Sequence, residues 1–148
     1  MNLKKVSFSQ LFFTDIASST LFNWTILLYR IIVSIAMIGI HGLTKIINFS
    51  EEVNKIPDPF NMGGEVALTL AIIANIGCTS LIILGLFTRF SAFFILCLTF
   101  TGLVVVHAAD PWVVKDIPLM YSLAFGLILL LGPGKFALDT LIYKRMSK

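Results

Sequence analysis

The stretch LFNWTILLYRIIVSIAMIGIHGL, residues 21–43, decides the fold. At a rise of about 1.5 Å per residue it is long enough to cross a hydrocarbon core of about 30 Å, and Arg30 is the one charged side chain within it. Three further apolar runs follow, at about 65–87, 90–108 and 117–131. The polar segment 48–64 carries Pro57, Pro59 and the Gly63-Gly64 pair, all helix breakers. The turn at 85–89 is so short that the second and third runs pack as an antiparallel hairpin. A polar loop at 110–116 precedes the fourth run, and Gly132-Pro133-Gly134 ends it. Working outward, the whole chain of 148 residues is 57% hydrophobic and 13% charged, with a mean hydropathy of +0.94. Disordered chains need the opposite balance, and a soluble globule cannot cover that much apolar surface. The expected fold is an all-α integral membrane four-helix bundle.

The expected organisation is an interfacial arm at 1–20, a transmembrane domain at 21–134 and a basic tail at 135–148. The arm has lysines but no continuous apolar run or small-residue cleavage site, so it reads as uncleaved. With four spans, Lys4, Lys5, Arg89, Lys135, Lys144, Arg145 and Lys148 share the side of the termini. Lys45, Lys55 and Lys115 lie opposite. The excess places both termini in the cytoplasm, because cytoplasmic loops retain Lys and Arg. The net charge of +3 therefore reads as membrane orientation, with the lipid bilayer as partner and no nucleic acid. Segment 48–64, the longest connection, is expected to cover the outer mouth of the bundle.

Polar groups inside the spans carry the chemistry, since a charge at a helix centre costs about 2.5–3.5 kcal/mol on insertion scales. Helical spacing puts Asn23, Arg30, Ser34, His41 and Lys45 along one face of the first span. Asn75 in the second span lies within about one turn of Arg30 in depth, and no acid shares that depth. Two readings stay open. Arg30 binds backbone carbonyls and holds helices together, or Arg30 and Asn75 converge on an anion or a quinone-type oxygen. His41, Glu65, His107, Asp110 and Asp116 gather near the outer interface, but their spacing matches no ligand motif, and no metal is expected. Cys78 and Cys97 sit in apolar runs without a CxxC and are expected to be unpaired.

Three stretches together resemble the DoxX family of small four-helix bacterial membrane proteins. They are Ile38-Gly-Ile-His-Gly-Leu-Thr-Lys45 after Arg30, Ile83-Leu-Gly-Leu-Phe-Thr-Arg89, and Leu129-Leu-Leu-Gly-Pro-Gly-Lys-Phe-Ala-Leu-Asp139. His107 and Tyr121 also match, and the likeness runs from about residue 29 to 141. It implies a multi-pass protein of the bacterial inner (plasma) membrane. Some members resemble small subunits of thiosulfate:quinone oxidoreductases, and others are linked to membrane oxidoreductase assemblies. Arg30, His41, Gly42, Lys45, Arg89 and His107 carry over. Asn75 stands where many members have an acid, so the likeness implies no charge pair or proton transfer at that position.

The functional expectation is an accessory subunit of a membrane oxidoreductase system. Its polar cleft, with Arg30, Ser34, His41, Lys45, Asn75, His107 and Tyr121 as binding residues, would hold a quinone or small anion. Partners would be that ligand and another membrane or oxidoreductase subunit. No catalytic residue is identifiable, so whether the chain is itself an enzyme stays open, and redox chemistry would come from a cofactor such as a quinone or from a partner. The alternative is a non-enzymatic binder or transporter of a lipid or small metabolite, or a membrane scaffold.

Overall fold

A computed structural model of the chain describes residues 20–146. The arm at 1–20 lies outside the described residues except for Thr20, as do Ser147 and Lys148. Four helices are long and apolar enough to span a membrane: α1 (Thr20–Ile47), α2 (Gly64–Leu84), α3 (Thr88–Val106) and α4 (Trp112–Leu131). A shorter α5 (Leu138–Met146) follows. A single helical turn, Phe49–Glu52, interrupts the first connection, and no strand occurs among the described residues.

Two span boundaries differ from the sequence reading for local reasons. α4 starts at Trp112, because Pro111 adopts the extended conformation (φ −59°, ψ 154°) that launches a helix. Lys115 and Asp116, which read as loop charges, stand on its first turns, and Lys115 Nζ donates to Ala108 O at 2.8 Å. α2 stops at Leu84, where Gly85 takes a left-handed φ of 72° and Leu86 N reaches back to Leu81 O at 2.9 Å.

The bundle buries polar side chains alongside an apolar core and is apolar outside. On α1 the buried row is Asn23, Ile26, Arg30, Ser34 and Met37, while Leu28, Ile32 and Ile35 are exposed. This is the pattern lipid imposes, because apolar side chains gain nothing by leaving hydrocarbon and association rests on close packing and polar contacts. The packed centre joins Met37 of α1 to Ala74, Cys78 and Ile82 of α2, Ala92 and Ile95 of α3, and Phe125 and Ile128 of α4. Ser122 Oγ donates to Thr99 Oγ1 at 2.9 Å, tying α4 to α3, and Tyr29 OH donates to Ala124 O at 3.3 Å between α1 and α4.

Three spans widen into π-helical turns: Met37–Gly42 in α1, Ile73–Cys78 in α2 and Gly102–Val106 at the end of α3. Each inserts an extra residue into the helical ladder and re-aims the side chains beyond it, a device common at functional sites. All three lie toward the end of the bundle that carries the 48–63 and 107–111 connections. The other end holds the 85–87 turn, the Gly132-Pro133-Gly134 break and both limits of the described segment.

Candidate functional site

At the turn end, the buried charges are spent on backbone. Arg30 is 1% exposed and donates from Nη1 to Pro133 O at 2.9 Å and from Nη2 to Phe136 O at 2.7 Å. Asp139 is fully buried, and its two carboxylate oxygens accept from Phe87 N at 2.8 Å and Thr88 N at 2.9 Å. The carboxylate thus caps the start of α3, where free N–H groups and the helix dipole favour a negative charge. Asp139 N donates in turn to Gly85 O at 2.8 Å. Asn23 Oδ1 accepts from Lys135 N at 2.9 Å, and Thr140 Oγ1 donates to Gly134 O at 2.8 Å. A Cβ at Gly85 would collide with Arg30 Nη1 and with Ala137, so only glycine fits the turn under the guanidinium. Arg89 lies on the far side of the same break, with Nη2 3.4 Å from Leu130 O.

Of the two readings of Arg30, the structure shows the backbone-carbonyl one, and Arg30 and Asn75 share no direct hydrogen bond. Depth arithmetic locates a Cα, whereas a guanidinium reaches several ångströms along its helix. The carbonyls released by the Gly132-Pro133-Gly134 break lie within that reach. Ser34, fully buried with no partner for Oγ among the described residues, also lies outside the cavity described next.

The other end of the bundle encloses a cavity of about 540 Å³. His41 and Lys45 of α1, Asn75 of α2, His107 after α3 and Tyr121 of α4 all line it, and the remaining wall is largely apolar. Ile56–Phe60 and Met62 also line it, so the 48–64 connection lies against the cavity. That segment is held in shape by Asp58, whose carboxylate accepts from Met62 N at 3.0 Å and Gly63 N at 2.7 Å just ahead of α2.

The polar groups around this space have few partners. The His41 ring stands edge-on to Tyr121 with centroids 5.1 Å apart, bridging α1 and α4 at the back of the cavity. Lys45 Nζ donates to His41 O at 3.1 Å, and among the described residues no carboxylate oxygen lies within 4 Å of it. Asn75 is buried, and its Oδ1 lacks a partner among the described residues. His107 Nδ1 contacts Asp110 Oδ2 at 2.7 Å, which fixes the ring and leaves its other nitrogen available. Chemically this is a set of hydrogen-bonding groups with the Lys45 ammonium, and with the Asp58 carboxylate turned onto Met62 N and Gly63 N, around an apolar volume, suited to an oxygen-bearing head on an apolar body.

Five of the seven residues singled out in the sequence therefore share one cavity: His41, Lys45, Asn75, His107 and Tyr121. Arg30 and Ser34 stand apart from it. No group of three or more His, Cys, Asp or Glu side chains able to hold a metal occurs among the described residues. Cys78 and Cys97 are free thiols, and Cys97 lines the cavity. Asp139 is the residue the sequence reading undervalued. It was visible as an acid six residues beyond a Pro in an otherwise basic tail, but nothing local linked it to the 85–88 turn.

The DoxX family profile matches residues 25–108, more than half of the chain, and the chain belongs to that family. The matched stretch runs from α1 through α3 and includes His41, Lys45, Asn75 and His107, while Tyr121 and Asp139 lie beyond it. The chain is also 32% identical over 101 residues to an uncharacterized protein of Haemophilus influenzae, across 65% of this chain and 67% of that protein. No solved structure matches it.

Proposed function

We propose that this DoxX family member holds a quinone in its cavity as an accessory subunit of a membrane oxidoreductase system. We place it in the bacterial inner membrane with both termini cytoplasmic. One observation carries the reading. The cavity sets donors from all four spanning segments and their loops against apolar walls, and a quinone presents carbonyl acceptors on an apolar ring and tail. Lys45 and His41 supply donors on α1, Tyr121 a hydroxyl on α4, and His107 a ring nitrogen after α3. A small anion would use the same lysine. The redox step belongs to the bound group and to a partner, since the cavity holds no nucleophile beside an activating base. The orientation rests on the basic residues, seven of which lie on the side of the termini.

The test is what copurifies. Protein isolated in mild detergent should release a quinone into organic solvent, with an oxidised-minus-reduced absorbance difference, and His41→Ala should lose it. Release of phospholipid alone, with no redox-sensitive absorbance, overturns the quinone reading. Labelling of a cysteine placed at Asp58, but not one at Ser147, from outside intact cells tests the orientation.

A further inference from the structure

We propose that the cavity opens sideways into the lipid bilayer through a gap between the outer halves of α2 and α3, and that its occupant is a single-chain amphiphile taken from the membrane. The proposal rests on the cavity reading above but not on the ligand being a quinone. The four helices do not close evenly around the space. On one side α1 and α4 are joined by the His41–Tyr121 ring contact and by the Tyr29–Ala124 hydrogen bond. α3 and α4 run against each other along most of their length. α2 is different. Its inner part, Ile73–Leu84, packs on both α1 and α3, but its outer part, Gly64–Ile72, meets α1 mainly along Leu43–Ile47 and barely meets α3 or α4.

Leu70 and Ile73 of α2 and Phe94 and Cys97 of α3 all line the cavity, and all four are exposed rather than packed against a neighbouring helix. Exposed side chains from two helices lining one open cavity mark where those helices leave a gap. These four sit within the membrane-spanning lengths of their helices, so the solvent outside them is hydrocarbon. An aqueous solute would have to strip its hydration to pass Leu70, Ile73 and Phe94. A lipid-phase molecule meets no such barrier.

The head of the occupant follows from charge. Lys45 lies near the outer end of α1, lines the cavity and has no carboxylate within 4 Å among the described residues, although the field of Glu52 reaches it. An ammonium in that position favours an acidic or carbonyl oxygen at the membrane boundary, with the tail lying back toward Met37 and the gap.

The experiment uses the full chain in liposomes and palmitate bearing a diazirine in its tail, with adducts located by mass spectrometry. Photolysis should label the interior residues Met37 and Tyr121 as well as the lipid-facing Leu130. Filling the gap with Ile73→Trp and Cys97→Trp should cut the interior adducts about tenfold and leave those on Leu130 unchanged. A second variant, Ile73→Cys in a Cys78→Ala background, bridged to Cys97 by a short bismaleimide, should do the same and guards against a filled variant that fails to fold. Interior adducts that persist in both closed forms, or their absence from the unmodified protein, overturn the lateral opening. Competition by decylubiquinone separates the two proposals. Interior labelling that this quinone does not reduce supports the opening while defeating the quinone reading. Quinone binding without interior palmitate adducts defeats the opening alone.

Discussion

The two ends of this bundle bury similar side chains for different purposes. At the turn end, Arg30, Asp139, Asn23 and Thr140 each meet a backbone group at 2.7–2.9 Å. At the cavity end, His41, Lys45, Asn75, His107 and Tyr121 surround about 540 Å³ of space with few contacts to one another. Burial and charge alone do not separate the two cases, because the deepest charge in the molecule belongs to the structural end. What separates them is how far the backbone engages the charged group: both Arg30 Nη atoms and both Asp139 oxygens meet backbone, although Arg30 Nε, Thr88 Oγ1 and Arg89 Nε at the same end are buried without a partner among the described residues. Broken helices release carbonyls and N–H groups, and in a membrane those must be met from within the protein. The Gly132-Pro133-Gly134 break and the 85–87 turn create that demand, and Arg30 and Asp139 meet it.

The sharpest way to break this comparison is to remove Asp139. Asp139→Ala deletes two charge-assisted bonds to the start of α3, worth about 1.5–3 kcal/mol each, and leaves two buried N–H groups without partners. A large loss of thermal stability in detergent is expected. Asp139→Asn keeps the shape but turns one acceptor into a donor facing an N–H, so it should recover less than half of the loss. A stable, ligand-free Asp139→Ala protein would mean that this end also serves binding.

Arg30→Leu should cost less, about 2 kcal/mol. It strands Pro133 O and Phe136 O, but it also removes the desolvation of a buried guanidinium and fills its volume with hydrocarbon. The folded fraction should still bind the cavity ligand with unchanged affinity. A variant that folds as well as the parent yet loses the ligand would return Arg30 to the binding site and erase the distinction between the ends.

At the cavity end the expected signs reverse. Tyr121→Phe removes a hydroxyl but keeps the ring packed on His41 and on Phe125, 6.3 Å away between centroids. Thermal stability should change by less than about 1 kcal/mol, while quinone affinity should fall about tenfold, the value of one good hydrogen bond. Titration of the detergent-solubilised protein with decylubiquinone measures the second quantity. A large stability loss with unchanged affinity would make Tyr121 a packing residue.

Much of this was legible in the chain itself. Four apolar runs broken by Pro and Gly were enough for four spanning helices, because lipid leaves a helix as the only way to satisfy the backbone of such a run. The closeness of the 48–64 connection to the cavity was legible from its length and its prolines. The one-faced polar row of α1 followed from spacing, and it holds through Asn23, Arg30 and Ser34. Its division between two ends did not follow. A regular 100° step carries no knowledge of the π turn at Met37–Gly42, and no local feature tells which released carbonyl an arginine will find. The pairing of Asp139 with Phe87 and Thr88 spans more than fifty residues and was beyond any spacing argument.

The smallest effect sharpens the comparison most. The His107–Asp110 contact is as short as any at the turn end, at 2.7 Å, but both side chains are partly exposed and they lie three residues apart in one loop. Exposed pairs of this kind contribute about 0.2–1 kcal/mol, because each partner keeps water as an alternative. Asp110→Asn should therefore shift thermal stability by under about 0.5 kcal/mol. It should weaken quinone binding by no more than about threefold, through a looser His107 ring. Asp139→Asn makes the same chemical change at the buried end, where the carboxylate is fully buried and Thr88 N has no water to turn to. If the two substitutions cost equally, distance would be what matters and the contrast drawn between the ends would fail. If Asp139→Asn costs several times more, it is the absence of any alternative partner that makes a buried charge structural.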